Sequence, residues 1–168
     1  MYELKKIDRD SIPAALEKAN FYRLLNEPVN SESICRDVLA VDAENQPALI
    51  TLVMSLADQF VDGLAQRFQE ARELAEGIQD EYKRSYYSGV ICERRAKAHY
   101  RSGVTPSGAM AYDWLTRAME FYEIAEKIRP EGHDEPLLRW NACARIIDRH
   151  AAIEPAPEEP IDLPEMLE

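Results

Sequence analysis

A proline two residues past a capping residue recurs in this chain, and three of the cases are Ser11-Ile12-Pro13, Asn45-Gln46-Pro47 and Asp134-Glu135-Pro136. Each triplet predicts a helix start. The side-chain oxygen of Ser, Asn or Asp can accept from a backbone N–H that the first turn leaves without a partner, and proline, having no N–H to lose, is tolerated there. Two of the starts are more alike than that. Ser11-Ile12-Pro13-Ala14 recurs as Asn45-Gln46-Pro47-Ala48, and Pro13 and Pro47 stand 34 positions apart. A period of that size, filled by two helices, is the mark of a stacked repeat.

The spacing of apolar residues fills in seven helices and no sheet. The first runs about 12–26 and stops at Pro28. The second begins at Asn30, with Val29 and Ile34 at the positions of a hydrophobic staple. The third runs about 47–61 and ends at Asp62-Gly63. The fourth covers about 64–76, with Leu64, Phe68, Ala71 and Ala75 on one stripe and Gly77 as its C-cap. The fifth, about 80–102, is long and ends at Gly103. The sixth, about 109–129, buries Leu115, Ala118, Tyr122, Ala125 and Ile128 at helical spacing. The seventh, about 136–152, closes the array. Only 6 glycines occur among 168 residues, and Ala, Leu, Glu and Arg dominate, which suits helices.

The second helix of each pair resembles that of the tetratricopeptide-repeat family. That family places a small residue, an aromatic four later, a small residue three later and a proline five after that. Ala118, Tyr122, Ala125 and Pro130 match without a gap. In the first repeat the places hold Ser31, Cys35, Val38 and Ala43, with Ala19 and Tyr22 at the small and aromatic places of the first helix. Residues 80–132 exceed one period, so the third repeat departs from the pattern. The resemblance implies an all-α fold in which antiparallel helix pairs stack as a short superhelix, about three repeats plus a capping helix. Residues 1–11 are then an N-terminal arm and 12–153 the helical domain.

After Ile153 the composition changes. Residues 154–168 carry four prolines, six acids and no Lys or Arg. Little apolar surface is available there to offset the cost of ordering, which predicts an acidic, disordered tail. The tail accounts for −6 of the net charge of −11. A chain of this balance lacks the basic excess that nucleic acid or an anionic membrane demands. No apolar run approaches the ~18 residues of a membrane span, and the first residues have no apolar segment, so the expected compartment is the cytoplasm.

The sequence offers no catalytic constellation. Glycines are isolated, so no phosphate loop forms. His99, His133 and His150 read as a packed imidazole, a turn residue and a helix C-terminal partner for the dipole. Glu93 reads as one more solvated carboxylate. Cys35, Cys92 and Cys143 are far apart and odd in number, which fits buried reduced thiols better than disulfides or zinc. No metal and no cofactor is expected.

One basic run breaks the acidic background. Between Lys83 and Arg101 stand six basic residues and one acid. On a helix, Lys83, Tyr87, Arg94, Lys97 and Arg101 fall near one face. The bland reading is a solubilising face. The functional one is the wall of a groove. In the resembled family the first helix of each pair lines a concave surface that holds a peptide or helix, which would place Asn20, Arg23, Met54 and Asp58 in the same groove. Some members grip chaperone C-terminal carboxylates with a fixed Lys/Asn set, but Leu16, Asn20 and Thr51 occupy those places here.

The expectation is a non-catalytic adaptor or assembly factor that takes an acidic or carboxylate-bearing segment of a protein partner. A secretion-type cytoplasmic chaperone is the alternative, and an accessory subunit of an enzyme a third reading. The acidic tail, with Ile161, Leu163, Met166 and Leu167 as anchors, could itself visit the groove, within one molecule or between two as self-association. On these terms, reversing the charge of Arg94 and Lys97 should abolish capture at little cost in stability.

Overall fold

A computed structural model describes residues 2–60, 64–103 and 107–157. Among them the chain forms seven α-helices and no strand: α1 (Ile12–Leu24), α2 (Pro28–Val41), α3 (Gln46–Ala57), α4 (Leu64–Glu76), α5 (Glu81–Ser102), α6 (Ser107–Ile128) and α7 (Glu135–Arg149). None is long and apolar enough to cross a membrane.

Each helix packs on its neighbour in sequence, and α1 also touches α3, as α3 touches α5. The centre is α3, where eight of the residues from Ala48 to Ala57 are buried. A helix that is apolar nearly all round belongs inside, and each fully buried side chain such as Leu56 contributes roughly 1.5–3 kcal/mol. One core gathers Leu52, Leu56, Phe60, Phe68 and Ile91. A second gathers Val90, Leu115, Tyr122, Cys143 and Ile153. Burial therefore continues as far as Ile153, which is 3% exposed. The arm is partly packed as well: Ile7 lies against Ile12, Val38 and Ala48, and a 3-10 turn at Arg9–Ser11 leads into α1.

The three proline starts are not equivalent. Each proline sits in the first turn, yet only Asn45 caps with its side chain, accepting from the N–H of Ala48 at 3.0 Å. Ser11 is already helical because of the 3-10 turn before it. The carboxylate of Asp134 is taken by Arg129 at 3.3 Å. A further cap, Asp80, accepts from the N–H of Lys83 at 2.8 Å.

The second helix starts earlier than its pattern suggested. Asn26 adopts a left-handed φ of 60°, and Glu27 N–H returns to the Tyr22 carbonyl while Asn26 N–H returns to that of Arg23, a Schellman ending. Pro28 then opens α2 rather than merely ending α1, since its fixed φ suits a first helical position. Val29 lies inside that helix, 62% exposed, and makes no staple. Helix α3 stops at Ala57, earlier than expected, and Asp62-Gly63 lies outside the described residues. Of the sixth-helix stripe, Leu115, Ala118, Tyr122 and Ala125 are buried but Ile128 is 42% exposed. Phe68, Ala71 and Ala75 are buried as expected of the fourth helix. The tail anchors 161, 163, 166 and 167 lie outside the described residues.

The longest helices, α5 and α6, run side by side. At Gly89 a Cβ would stand 2.5 Å from the Tyr122 ring. Glycine at that point leaves the space that the ring occupies.

Candidate functional site

Asp58 follows α3 directly and faces two neighbours. It accepts from Arg23 Nε of α1 at 3.0 Å and pairs with Arg94 of α5 through its other oxygen. One carboxylate thus joins α1, α3 and α5 on one side of the molecule. Nearby on α5, Glu93 is 1% exposed. It accepts from Tyr122 Oη of α6 at 2.7 Å, from Arg139 of α7 at 3.2 Å to both oxygens, and from Lys97 one turn along α5. Burial alone would raise the Glu93 pKa, but the Lys97 contact, the Tyr122 hydroxyl and the Arg139 charge together hold it below the ordinary carboxylate value. Its partners respond in kind: burial and the Glu93 charge push the Tyr122 phenol far up. The sequence-based reading of Glu93 as solvated is corrected here. It is the buried hub of three helices.

Above these carboxylates lies a groove of about 220 Å³, lined by Asp58, Phe60, Arg94, Lys97, Arg101 and Arg139 among others. Among the described residues four cations face one acid in that lining. Arg94, Lys97 and Arg139 are each about a third exposed, so each ends on a carboxylate and still reaches solvent. Arg101 is exposed.

Of the residues expected from sequence, Asp58, Arg94, Lys97 and Arg101 meet in this groove, and Arg23 joins through Asp58. Tyr87 is half-buried between the two cores, close enough to Arg23 and Arg139 to feel their charge. Met54 is 7% exposed and packs as core. Asn20 lies on the open flank of α1, with Phe21 and Leu24, and Lys83 is exposed in the first turn of α5. Neither lines the groove. Arg139 and Phe60 were not anticipated.

The other side of α5 is built differently. The Arg95 guanidinium lies 3.8 Å from the Phe68 ring centroid and 4.5 Å from that of Trp114. Arg72 lies 5.7 Å from Phe68 and Arg117 5.9 Å from Trp114. Arginines and rings therefore alternate in a row, and none of the three guanidiniums has an acidic partner among the described residues. Arg95 Nε is buried without a hydrogen bond.

The three cysteines are buried and free. Burial pushes the Cys35 and Cys92 thiols up to about 11 and Cys143 to about 12, so none is an activated nucleophile. His99 is half-buried, with its pKa lowered by burial and then by Arg95. Among the described residues no cluster of His, Cys, Asp and Glu could hold a metal ion. Comparisons with family models, with characterised proteins and with solved structures found no match for this chain.

Proposed function

We propose that this protein is a non-catalytic adaptor or assembly factor whose helix pairs stack in the tetratricopeptide manner. Its groove between Asp58 and Arg101 receives an acidic or carboxylate-bearing segment of a protein partner. The observation that carries this reading is the excess, among the described residues, of four cations over one carboxylate in the lining, within a chain of net charge −11. The buried acids beneath do not cancel the groove. They fix the guanidiniums and the ammonium in place, so that less side-chain freedom is lost when a ligand carboxylate arrives.

The test uses Arg101, whose exposed side chain can change without disturbing the carboxylate anchors. Fluorescence anisotropy of a labelled ten-residue Asp/Glu peptide should report binding at low salt. Arg101→Glu should weaken it about five- to tenfold, the scale of an exposed charge pair reversed, and salt should weaken it further. No binding by the native chain, or equal binding by the variant, overturns the reading. Reversing Arg94 and Lys97 is a poorer test than the sequence suggested, because each new carboxylate would stand against Asp58 or Glu93 and cost stability as well.

A further inference from the structure

We propose that the cleft between α4, α5 and α6, on the side of α5 away from the groove, is a binding site for a small anion that carries a planar apolar body, such as an aryl phosphate. The cleft has a volume of about 250 Å³, and Arg72, Arg84, Arg117, Ser85, Trp114 and Phe121 are among its lining residues. Three arginines face one carboxylate there, that of Glu76, and Glu76 forms no ion pair with them. The charge of Arg72, Arg95 and Arg117 converges on Cys92 in the same lining, where all three act to favour a thiolate that burial forbids.

Cations so placed are unusual in this chain. In the groove Arg94 and Arg139 each meet a carboxylate, and the acids of the chain outnumber its bases 31 to 20. On this side arginines lean on rings instead. Ring faces attract a cation but satisfy none of its N–H donors. Arg84 gives one donor to the Ile78 carbonyl at 2.8 Å, which fixes its direction. The hydroxyls of Ser85 and Ser88, both in the lining, have no hydrogen-bond partner among the described residues. The free donors match the planar fork geometry with which arginine takes a phosphate oxygen pair. The indole of Trp114 and the ring of Phe121 then supply the apolar wall that a bare inorganic ion would not use.

The chain has two tryptophans, so Trp140→Phe leaves Trp114 as the sole reporter at the cleft. In that background, phenyl phosphate at constant ionic strength should quench the indole saturably. Its affinity should exceed that of inorganic phosphate by about tenfold or more, and Arg117→Gln should weaken it about tenfold, the worth of a charged hydrogen bond. Arg72→Gln is the second variant should Arg117→Gln fail to fold. The groove variant Arg101→Glu should bind phenyl phosphate unchanged, which separates this site from the groove. Quenching that never saturates, equal affinity for inorganic phosphate, or indifference to both arginine variants would overturn the proposal.

Discussion

The two faces of α5 both carry arginine, and they hold it by opposite means. Toward α1, α3 and α7, Arg23, Arg94, Lys97 and Arg139 rest on Asp58 and Glu93. Toward α4 and α6, Arg72, Arg95 and Arg117 rest on Phe68 and Trp114. Removing a carboxylate on the first face leaves buried charge without a partner. Removing a guanidinium on the second leaves two rings that still pack. Charge counted along a sequence is therefore a poor guide to charge available to a ligand. What decides is whether the neighbour is an ion that uses up the donors or a ring that leaves them free.

The largest effect should come from the hub. Glu93→Ala strands Arg139, Lys97 and the Tyr122 hydroxyl, and unfolding in urea should show a loss of about 3–5 kcal/mol. The same pairing has a pH signature. A carboxyl whose folded pKa lies below its unfolded value stabilises above the unfolded value, about 4.3 for Glu, and the contribution disappears as pH falls through the folded pKa. Glu93 and Glu32 both have lowered values, with burial opposing and their hydrogen bonds and cations prevailing. The native chain should thus lose stability below about pH 4, and Glu93→Gln should flatten that loss. A variant as stable as the native chain would break the comparison.

Asp58→Ala is next. It frees Arg23 and Arg94 at a cost of about 1.5–3 kcal/mol, the range of hydrogen bonds to charged groups. It should also tighten binding of the acidic peptide, because the groove loses a lining carboxylate. Weaker binding would mean that the fixing of Arg94 by Asp58 counts for more than the repulsion between Asp58 and the ligand. On the opposite face, Arg95→Met should change stability by less than about 1 kcal/mol, since thioether and rings pack well and the unpartnered Nε disappears. A loss as large as that of Glu93→Ala would put the two faces on the same footing. The smallest effect concerns residues 154–168. If the tail competes for the groove, its deletion should raise peptide affinity a few-fold at low salt and hardly at all at high salt. Equal affinity at low salt would leave the groove without an internal competitor.

Local signals in the sequence located most helices because they depend on nearby residues. Pro13, Pro47 and Pro136 open their helices, and Ala118, Tyr122 and Ala125 lie at 0% exposure. The junction at Pro28 misled because it was read only as a stop: Asn26-Glu27-Pro28 has the spacing of the other starts, and a proline that cannot continue one helix can begin the next. The groove was half legible: Arg94, Lys97 and Arg101 share a face by helical spacing alone. Glu93 was missed although it left a trace. It sits on the stripe between Val90 and Ala96, both buried, with Lys97 one turn on, and a charge on an apolar stripe calls for a partner. Arg139 stands likewise between buried Pro136 and Cys143. The row through Phe68, Arg95 and Trp114 left no such trace, because it depends on the rotation of three helices about their axes.

Glu93 also has a consequence for descent. Breaking a buried ion pair from one side is costly, whereas exchanging the whole set for apolar residues of like volume is often neutral. Positions 93, 122 and 139 therefore behave as one inherited character. In chains that share ancestry with this one, Glu93, Tyr122 and Arg139 should be kept together or replaced together, and the intermediate with Arg139 alone should be rare.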